Sequence, residues 1–154
     1  MRLRKQRLRA WRAYYEYSAR VTGVLEYRLR TRSGLSSGDY NILLVLYEAG
    51  EPLRMGTIAQ RIAFAPSRLT YAVSGLETRG LVERQADPND RRAAAVQLTE
   101  AGRQLFREAA GPHLEDVCEL VMEELTEEEV AAMDAIFTRL AGRLEQATRR
   151  TEAE

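Results

Sequence analysis

A chain of 154 residues that is 45% hydrophobic and 30% charged is long enough to bury one core and too evenly mixed for a disordered tract. Its longest uncharged apolar run, Ile42 to Tyr47, falls well short of the roughly 20 residues of a membrane span, and Arg12, Glu16 and Arg20 interrupt any signal-like stretch behind the basic start, so a cytoplasmic location with no membrane contact is expected. The formal net charge of zero conceals opposed ends: residues 1–32 carry ten basic residues against two glutamates, and residues 111–154 carry four arginines against twelve acids.

From about Arg4 to Arg30 there is no proline, and Leu8, Trp11, Tyr15, Ala19, Thr22, Leu25 and Leu29 recur three to four residues apart, predicting one long helix that packs through an aromatic stripe. Gly34 to Gly38 breaks that pattern. Ser36 and Asp39 then offer a cap to a second helix carrying Tyr40, Leu43, Leu44 and Tyr47 and ending at Gly50. Glu51 to Leu53 allow at most a minimal strand. A third helix is predicted from about Met55 to Phe64, with Ile58, Ala59 and Ile62 on its apolar face, and a fourth from Ala65 or Pro66, where proline suits the first helical position. Leu69, Val73 and Leu76 form the buried stripe of this fourth helix, which leaves Ser67, Arg68, Thr70, Tyr71 and Ser74 on its other faces.

Gly80 ends the fourth helix, and Leu81 to Ala86 and Ala94 to Leu98 alternate as two strands around a charged loop with Pro88 and Asn89 at its turn. Thr99 can cap a fifth helix reaching about Glu124, with a kink expected near Gly111 and Pro112. Thr126 and Glu129 form a capping box for a sixth, with Val130, Met133, Phe137, Leu140 and Leu144 on one face. Helix, turn, helix and hairpin in that order describe a winged helix. The fold class expected is mainly α with a small β-hairpin wing, a winged helix-turn-helix lobe with helices before and after it.

Such a lobe presents one helix to the major groove of duplex DNA and its wing to the minor groove. Arg68 is the best base reader, since arginine forms bidentate bonds to guanine; Ser67, Thr70, Tyr71 and Ser74 flank it, and Arg79 and Arg84 are placed to hold phosphates or to pair with Glu77 or Glu83. At the wing Asp90 is expected to steer Arg91 or Arg92 into the minor groove. The competing reading of every one of these arginines is a solvated or ion-paired surface residue, and a protein-interaction module that never touches DNA is the alternative function. Asp87 to Asp90 do not form a calcium loop, because Arg92 stands where such a loop needs glycine. His113 is the sole histidine and Cys118 the sole cysteine, so no catalytic triad or His/Cys metal centre is expected, and no cofactor. The chain is not read as an enzyme.

The wing sequence Asp90, Arg92, Leu98, Thr99 and Gly102, preceded by Asp87-Pro88, Leu76-Glu77 and Gly80-Leu81-Val82, resembles the MarR family of winged-helix transcription regulators, as does Ser67 to Thr70. The resemblance spans the whole chain, residues 1–154, as a single domain. It implies a winged helix-turn-helix lobe at 36–102 and dimerisation helices at 4–31 and 111–148, in a homodimer that binds a pseudo-palindromic operator, most often as a repressor. It further implies a cavity for a small aromatic or phenolic effector, for which periodicity points to Trp11, Tyr15, Tyr40, Leu44, Tyr47, His113 and Val117. The chain departs from the family pattern at Ala63, which replaces a common turn glycine, at Ala65, which replaces a polar cap, and at Ser74 and Gly75.

Overall fold

The computed structural model describes residues 2–87 and 90–151, apart from the side chains of residues 2, 87, 90–93, 145 and 148–151. The chain divides at Asp116/Val117 into two compact units.

The first unit opens with α1 (Arg2–Ser33) and α2 (Ser37–Ala49). The chain turns between them at Gly34, whose φ of 67° is open to glycine without strain. The expected capping box is present: the Ser36 hydroxyl accepts the Asp39 N–H at 3.1 Å, and the Asp39 carboxylate accepts the Ser36 N–H at 3.1 Å. The short β1 (Leu53–Arg54) leads into α3 (Met55–Ile62), which stops two residues earlier than predicted because Ala63 takes the left-handed conformation, φ 53°. α4 (Pro66–Thr78) begins on Pro66, with Ala65 in an extended N-cap conformation that supplies no side-chain bond.

β2 (Val82–Asp87) and β3 (Asp90–Leu98) form the wing, antiparallel from Val82↔Leu98 to Ala86↔Ala94 with a register shift at Ala86/Asp87. β1 joins the free edge of β3 through Leu53↔Val96 and Arg54↔Ala95, so the sheet runs β1-β3-β2. β3 starts four residues before the predicted Ala94. α5 (Glu100–Val117) is capped as expected by Thr99, whose hydroxyl accepts the Gly102 N–H at 3.0 Å.

One core gathers these elements. Leu29 of α1, Ile42, Leu43 and Leu46 of α2, Ile58 of α3, Leu69, Val73 and Leu76 of α4, Val82, Val96 and Leu98 of the sheet and Phe106 of α5 are all buried in it. Each such side chain contributes about 1.5–3 kcal/mol by leaving water, and this burial anchors α4 and the base of the wing in a shared core. Leu8, Trp11 and Tyr15 of the predicted α1 stripe are exposed, and of that stripe only Leu29 is fully buried.

α5 runs through Pro112 but not to Glu124 as expected. After Val117 the second unit opens with a single π-helical turn, Cys118–Met122, closed by the Glu123 N–H on the Cys118 carbonyl at 3.0 Å. Cys118 there is half-buried. Thr126 and Glu129 then form the predicted box, at 2.9 and 3.3 Å, at the head of α6 (Glu127–Thr151). Among the described residues no helix is long and apolar enough to cross a membrane.

Candidate nucleic-acid interface

The stripe Leu69, Val73 and Leu76 turns one side of α4 into the core, and the same periodicity places Ser67, Arg68, Thr70 and Tyr71 in solvent. Tyr71 is 85% exposed, far more than a residue needed for packing. The Thr70 hydroxyl donates back to the Pro66 carbonyl at 2.9 Å, which leaves its oxygen free to accept. Arg68 is held. Its guanidinium carbon lies 4.0 Å from the centroid of the Phe64 ring, a cation–π stack that orients the fork. The Phe64 ring in turn lies over Gly38 in the first turn of α2, where an added Cβ would come within 3.0 Å of it.

The flanking arginines have acidic partners, different in part from those expected. Arg84 on β2 donates to the Glu77 carboxylate and to the Ser74 hydroxyl, each at 3.0 Å. Arg79 lies 3.6 Å from Asp39 rather than beside Glu77 or Glu83. Glu83 instead accepts from Gln97 across the wing. An open groove of about 590 Å³ runs between the start of α2 and α4, lined by Arg30, Arg68 and Arg79 together with Phe64 and Tyr71. Arg30 in this groove and Phe64 beneath Arg68 are not read as site residues from the sequence: Arg30 joins α4 only through the fold, and Phe64, though four residues from Arg68, is seated by Gly38, distant along the chain.

The wing stands on a bonded base. Thr99 donates from its hydroxyl to the Gly80 carbonyl at 2.7 Å and from its N–H to the Leu81 carbonyl at 3.2 Å. The expected turn residues Pro88 and Asn89 lie outside the described residues. Asp90, Arg91 and Arg92 occupy the first positions of β3, and their side chains lie outside the description too.

A family model described as the MarR family matches residues 33–93. Over 110 residues the chain is 33% identical to the HTH-type transcriptional regulator MhqR of Bacillus subtilis (strain 168), an alignment covering 71% of this chain and 74% of that one. The chain belongs to the MarR family of transcriptional regulators. Among solved MarR-family structures, Sco3205 from Streptomyces coelicolor, in complex with DNA, matches with a TM-score of 0.81 at 30% identity, covering 86% of this chain and 83% of that one. CouR from Rhodococcus jostii RHA1, bound to p-coumaroyl-CoA, matches with a TM-score of 0.74 at 27% identity over 82% and 87% of the two chains.

Of the residues singled out for an effector cavity in this MarR-family chain, the structure gathers three. Tyr40 and Tyr47 flank Phe106, with ring centroids 5.4 and 4.7 Å away, and the His113 ring lies 4.5 Å from Tyr40. Phe106, the centre of this cluster, is not among the residues expected. Leu44 packs against the neighbouring core. Trp11 and Tyr15 are instead 62% and 63% exposed, with ring centroids 6.3 Å apart, about 21–27 Å along α1 from Leu29. Val117 belongs to the second unit.

His113 also walls a small cavity of about 70 Å³ with Leu29, Arg32, Ser33, Leu105, Glu108, Ala109, Pro112 and Asp116. Its Nδ1 is buried with no hydrogen-bond partner among the described residues. Burial pushes the His113 pKa down, partly opposed by the charge of Asp116, so the ring is neutral at pH 7. Burial likewise raises the Tyr40 hydroxyl, which stays protonated. Asp116 accepts from Arg28 at 2.8 Å and Arg32 at 2.6 Å. Its burial alone would raise its pKa, but the two arginine hydrogen bonds and their charges outweigh that and hold the carboxyl below the usual range. Sequence reading misses both arginines and the buried acid, since residues 28, 32 and 116 meet only through the fold.

Proposed function

We propose that this chain is a homodimeric, sequence-specific regulator that binds double-stranded DNA, represses by occupying a pseudo-palindromic operator, and is released by a small aromatic or phenolic effector. The observation that carries the reading is the solvent face of α4, where Ser67, Arg68, Thr70 and Tyr71 stand exposed on a helix whose other side is locked into the core of a winged helix. Arg68 reads a base edge in the major groove, Ser67, Thr70 and Tyr71 contact bases or phosphates beside it, and Arg79, with Arg30 across the groove, meets the backbone, while the half-buried Ser74 is turned to Arg84. Asp90, Arg91 and Arg92 carry the wing to the minor groove. The DNA complex of Sco3205, a MarR regulator of the same architecture, supports this assignment.

Exposed Leu8, Trp11 and Tyr15 on α1, with Val130, Ile136 and Leu140 on α6, supply apolar surface for a second copy. The opposed charges of the two chain ends add attraction and register. In the dimer the two α4 helices lie one turn of DNA apart, about 34 Å.

For the effector, the apolar walls around His113 and its unpartnered Nδ1 suit a hydroxyl group on a ring, which can either donate or accept, and the CouR structure bound to p-coumaroyl-CoA supports a relative taking such a compound. The cavity is about half the size of an apolar cavity of roughly 150 Å³ that takes up benzene, so a ligand enters by favouring a wider state.

The test is a titration against fragments of the source genome across a range of salt. Wild type should select particular fragments. Arg68→Ala should relax that choice, whereas Arg92→Ala should weaken all fragments together and flatten the salt slope. If no fragment binds even in dilute buffer, the reading is wrong.

A further inference from the structure

We propose that Arg84 is a positioning residue, a strut that fixes the angle between the wing and α4, and not a ligand of DNA; the proposal rests on α4 and the wing being the two DNA-contacting prongs. The chain turns from α4 into β2 through Arg79 to Leu81, with Gly80 at φ 69°, so the joint itself is one left-handed residue wide. Arg84 closes the angle from inside. Its two terminal nitrogens go to different acceptors on α4, Glu77 at 3.0 Å and Ser74 at 3.0 Å, and these two residues are three apart and therefore share a face of the helix. A planar fork held at two points resists both swing and twist of the strand, which a single point charge would not.

The lever is long enough to matter. Val82 to Asp87 spans about 17 Å at ~3.3 Å per residue, so a swing of about 10° at the joint displaces the wing tip by about 3 Å. That is a whole hydrogen-bond length. Two prongs on one duplex cannot both stay seated through such an error. Glu77 is also the sole acid within α4, and its pairing with Arg84 keeps that carboxylate from standing unneutralised beside phosphates.

The two roles open to Arg84 predict opposite signs. Using a genomic fragment that wild type binds, dissociation constants are measured across a salt series for Arg84→Ala, Arg84→Lys, Glu77→Ala and Ser74→Ala, together with a hydroxyl-radical footprint and a thermal melt of each variant. For a strut, Arg84→Ala and Glu77→Ala each weaken binding by about fivefold, Ser74→Ala weakens it by about twofold, and lysine fails to rescue because it lacks the fork. Protection is lost at the wing while that of α4 persists, and the salt slope falls alike in Arg84→Ala and Glu77→Ala because the wing's own contacts go with it. For a phosphate ligand, Arg84→Ala lowers the slope by about 0.9 per contact, lysine rescues, and Glu77→Ala tightens binding by removing a repulsive charge. That second pattern overturns the proposal, as does wild-type affinity in Arg84→Ala. Ser74→Ala keeps every charge and leaves a phosphate ligand at wild-type affinity while weakening a strut, so it separates the two roles even if a charge variant fails to fold. Failure of the wild type to bind any fragment would sink the DNA reading itself, and is distinguished from failure of the strut by being seen before any variant is made.

Discussion

Alanine at Gly102 and alanine at Gly75 are the same chemical change in two helices, and the structure gives them opposite signs. A Cβ built on Gly102 would lie 1.9 Å from the Leu81 carbonyl oxygen and 2.8 Å from its carbon. An ordinary carbon–oxygen contact is about 3.3 Å, so the start of α5 and the residue leading into β2 must part by roughly 1.4 Å. Neither side is a flexible side chain. The same Leu81 oxygen accepts the Thr99 N–H, and the Gly102 N–H is the one held by the Thr99 hydroxyl, so relief of the clash breaks the cap of α5 and the base of the wing together. Overpacking costs about 1–3 kcal/mol and a lost cap about 1, against about 0.5–1 gained by alanine in a helix, for a net loss of about 1–3.5 kcal/mol, centred near 2–3 because both clashing groups are backbone. In a chain of this size that is a fall of about 4–12 °C in Tm. At Gly75, by contrast, nothing lies within 4 Å of the added carbon, and alanine should stabilise by about 0.5–1 kcal/mol. Reversible thermal unfolding followed by far-ultraviolet circular dichroism compares the two. A Gly102→Ala protein that melts with the wild type, or two variants shifted in the same direction, would show that the close approach of α5 to Leu81 does not exist.

Ala63 at φ 53° bears the left-handed strain that glycine avoids, so Ala63→Gly should raise stability by about 0.5–1 kcal/mol in urea unfolding after the added freedom of the unfolded chain is subtracted. Phe64→Leu keeps apolar volume but removes the ring face under Arg68; operator binding should lose its preference at the base Arg68 reads by more than it loses overall affinity, measured by competition between single-base variants. Burial depresses the pKa of His113, so its contribution to stability is complete above about 6.5 and is lost as pH falls through the lower folded value; urea midpoints should decline from pH 7 to 5 in wild type and stay flatter in His113→Phe, with Asp116, Glu108, Arg32 and Tyr40 as the neighbouring polar groups. Asp116→Asn removes the acid between two partly exposed guanidinium groups and should cost about 2 kcal/mol at pH 7, a difference that closes as pH falls below about 3.9 because the wild-type carboxyl, held low, then takes up its own proton.

What is legible in the sequence is what depends on neighbours along the chain. The caps at Ser36, Thr99 and Thr126 and the buried stripe Leu69, Val73 and Leu76 are settled by residues within a turn or two, and the structure has them. Boundaries shift where a backbone effect with no distinctive letter intervenes. Alanine at 63 does not by itself announce the left-handed conformation, which only the resemblance to a common turn glycine hints at, and so the spacing predicts α3 two residues too long. The π turn after Val117 follows a sequence with ordinary helical periodicity, and so the same reasoning carries α5 through it. The candidate site is half legible. The exposed face of α4 follows from helical spacing, but which acid each arginine meets does not: Arg79 pairs with Asp39 forty residues away, and Phe64 becomes a platform only because Gly38 leaves it room. Trp11 and Tyr15 lie apart from the Tyr40, Phe106 and His113 cluster, because periodicity identifies a face of α1 without saying how far along that face the packing against the lobe begins.

Residues 26–33 of α1 show what that packing accomplishes. Glu26 and Arg30, four apart, share one face, and the Glu26 carboxylate accepts the Ser37 N–H at 2.6 Å at the head of α2. The hydrogen bond from Ser37 and the charge of Arg30 outweigh burial and keep Glu26 ionised. Arg28 and Arg32, again four apart, form a second face and grip Asp116 on α5. Leu29 fills a third and enters the core. Rotation of α1 about its axis would break all three sets of contacts, and a slide by one turn that moved Arg28 into the place of Arg32 would still carry Glu26 away from Ser37. The direction in which the exposed remainder of α1 leaves the lobe is therefore fixed by these eight residues. In a dimer assembled through that exposed remainder, the same direction sets the distance between the two copies of α4. The cavity beside His113 is walled by Leu29, Arg32 and Ser33, so anything that widens it presses on the same stretch of helix that fixes this direction.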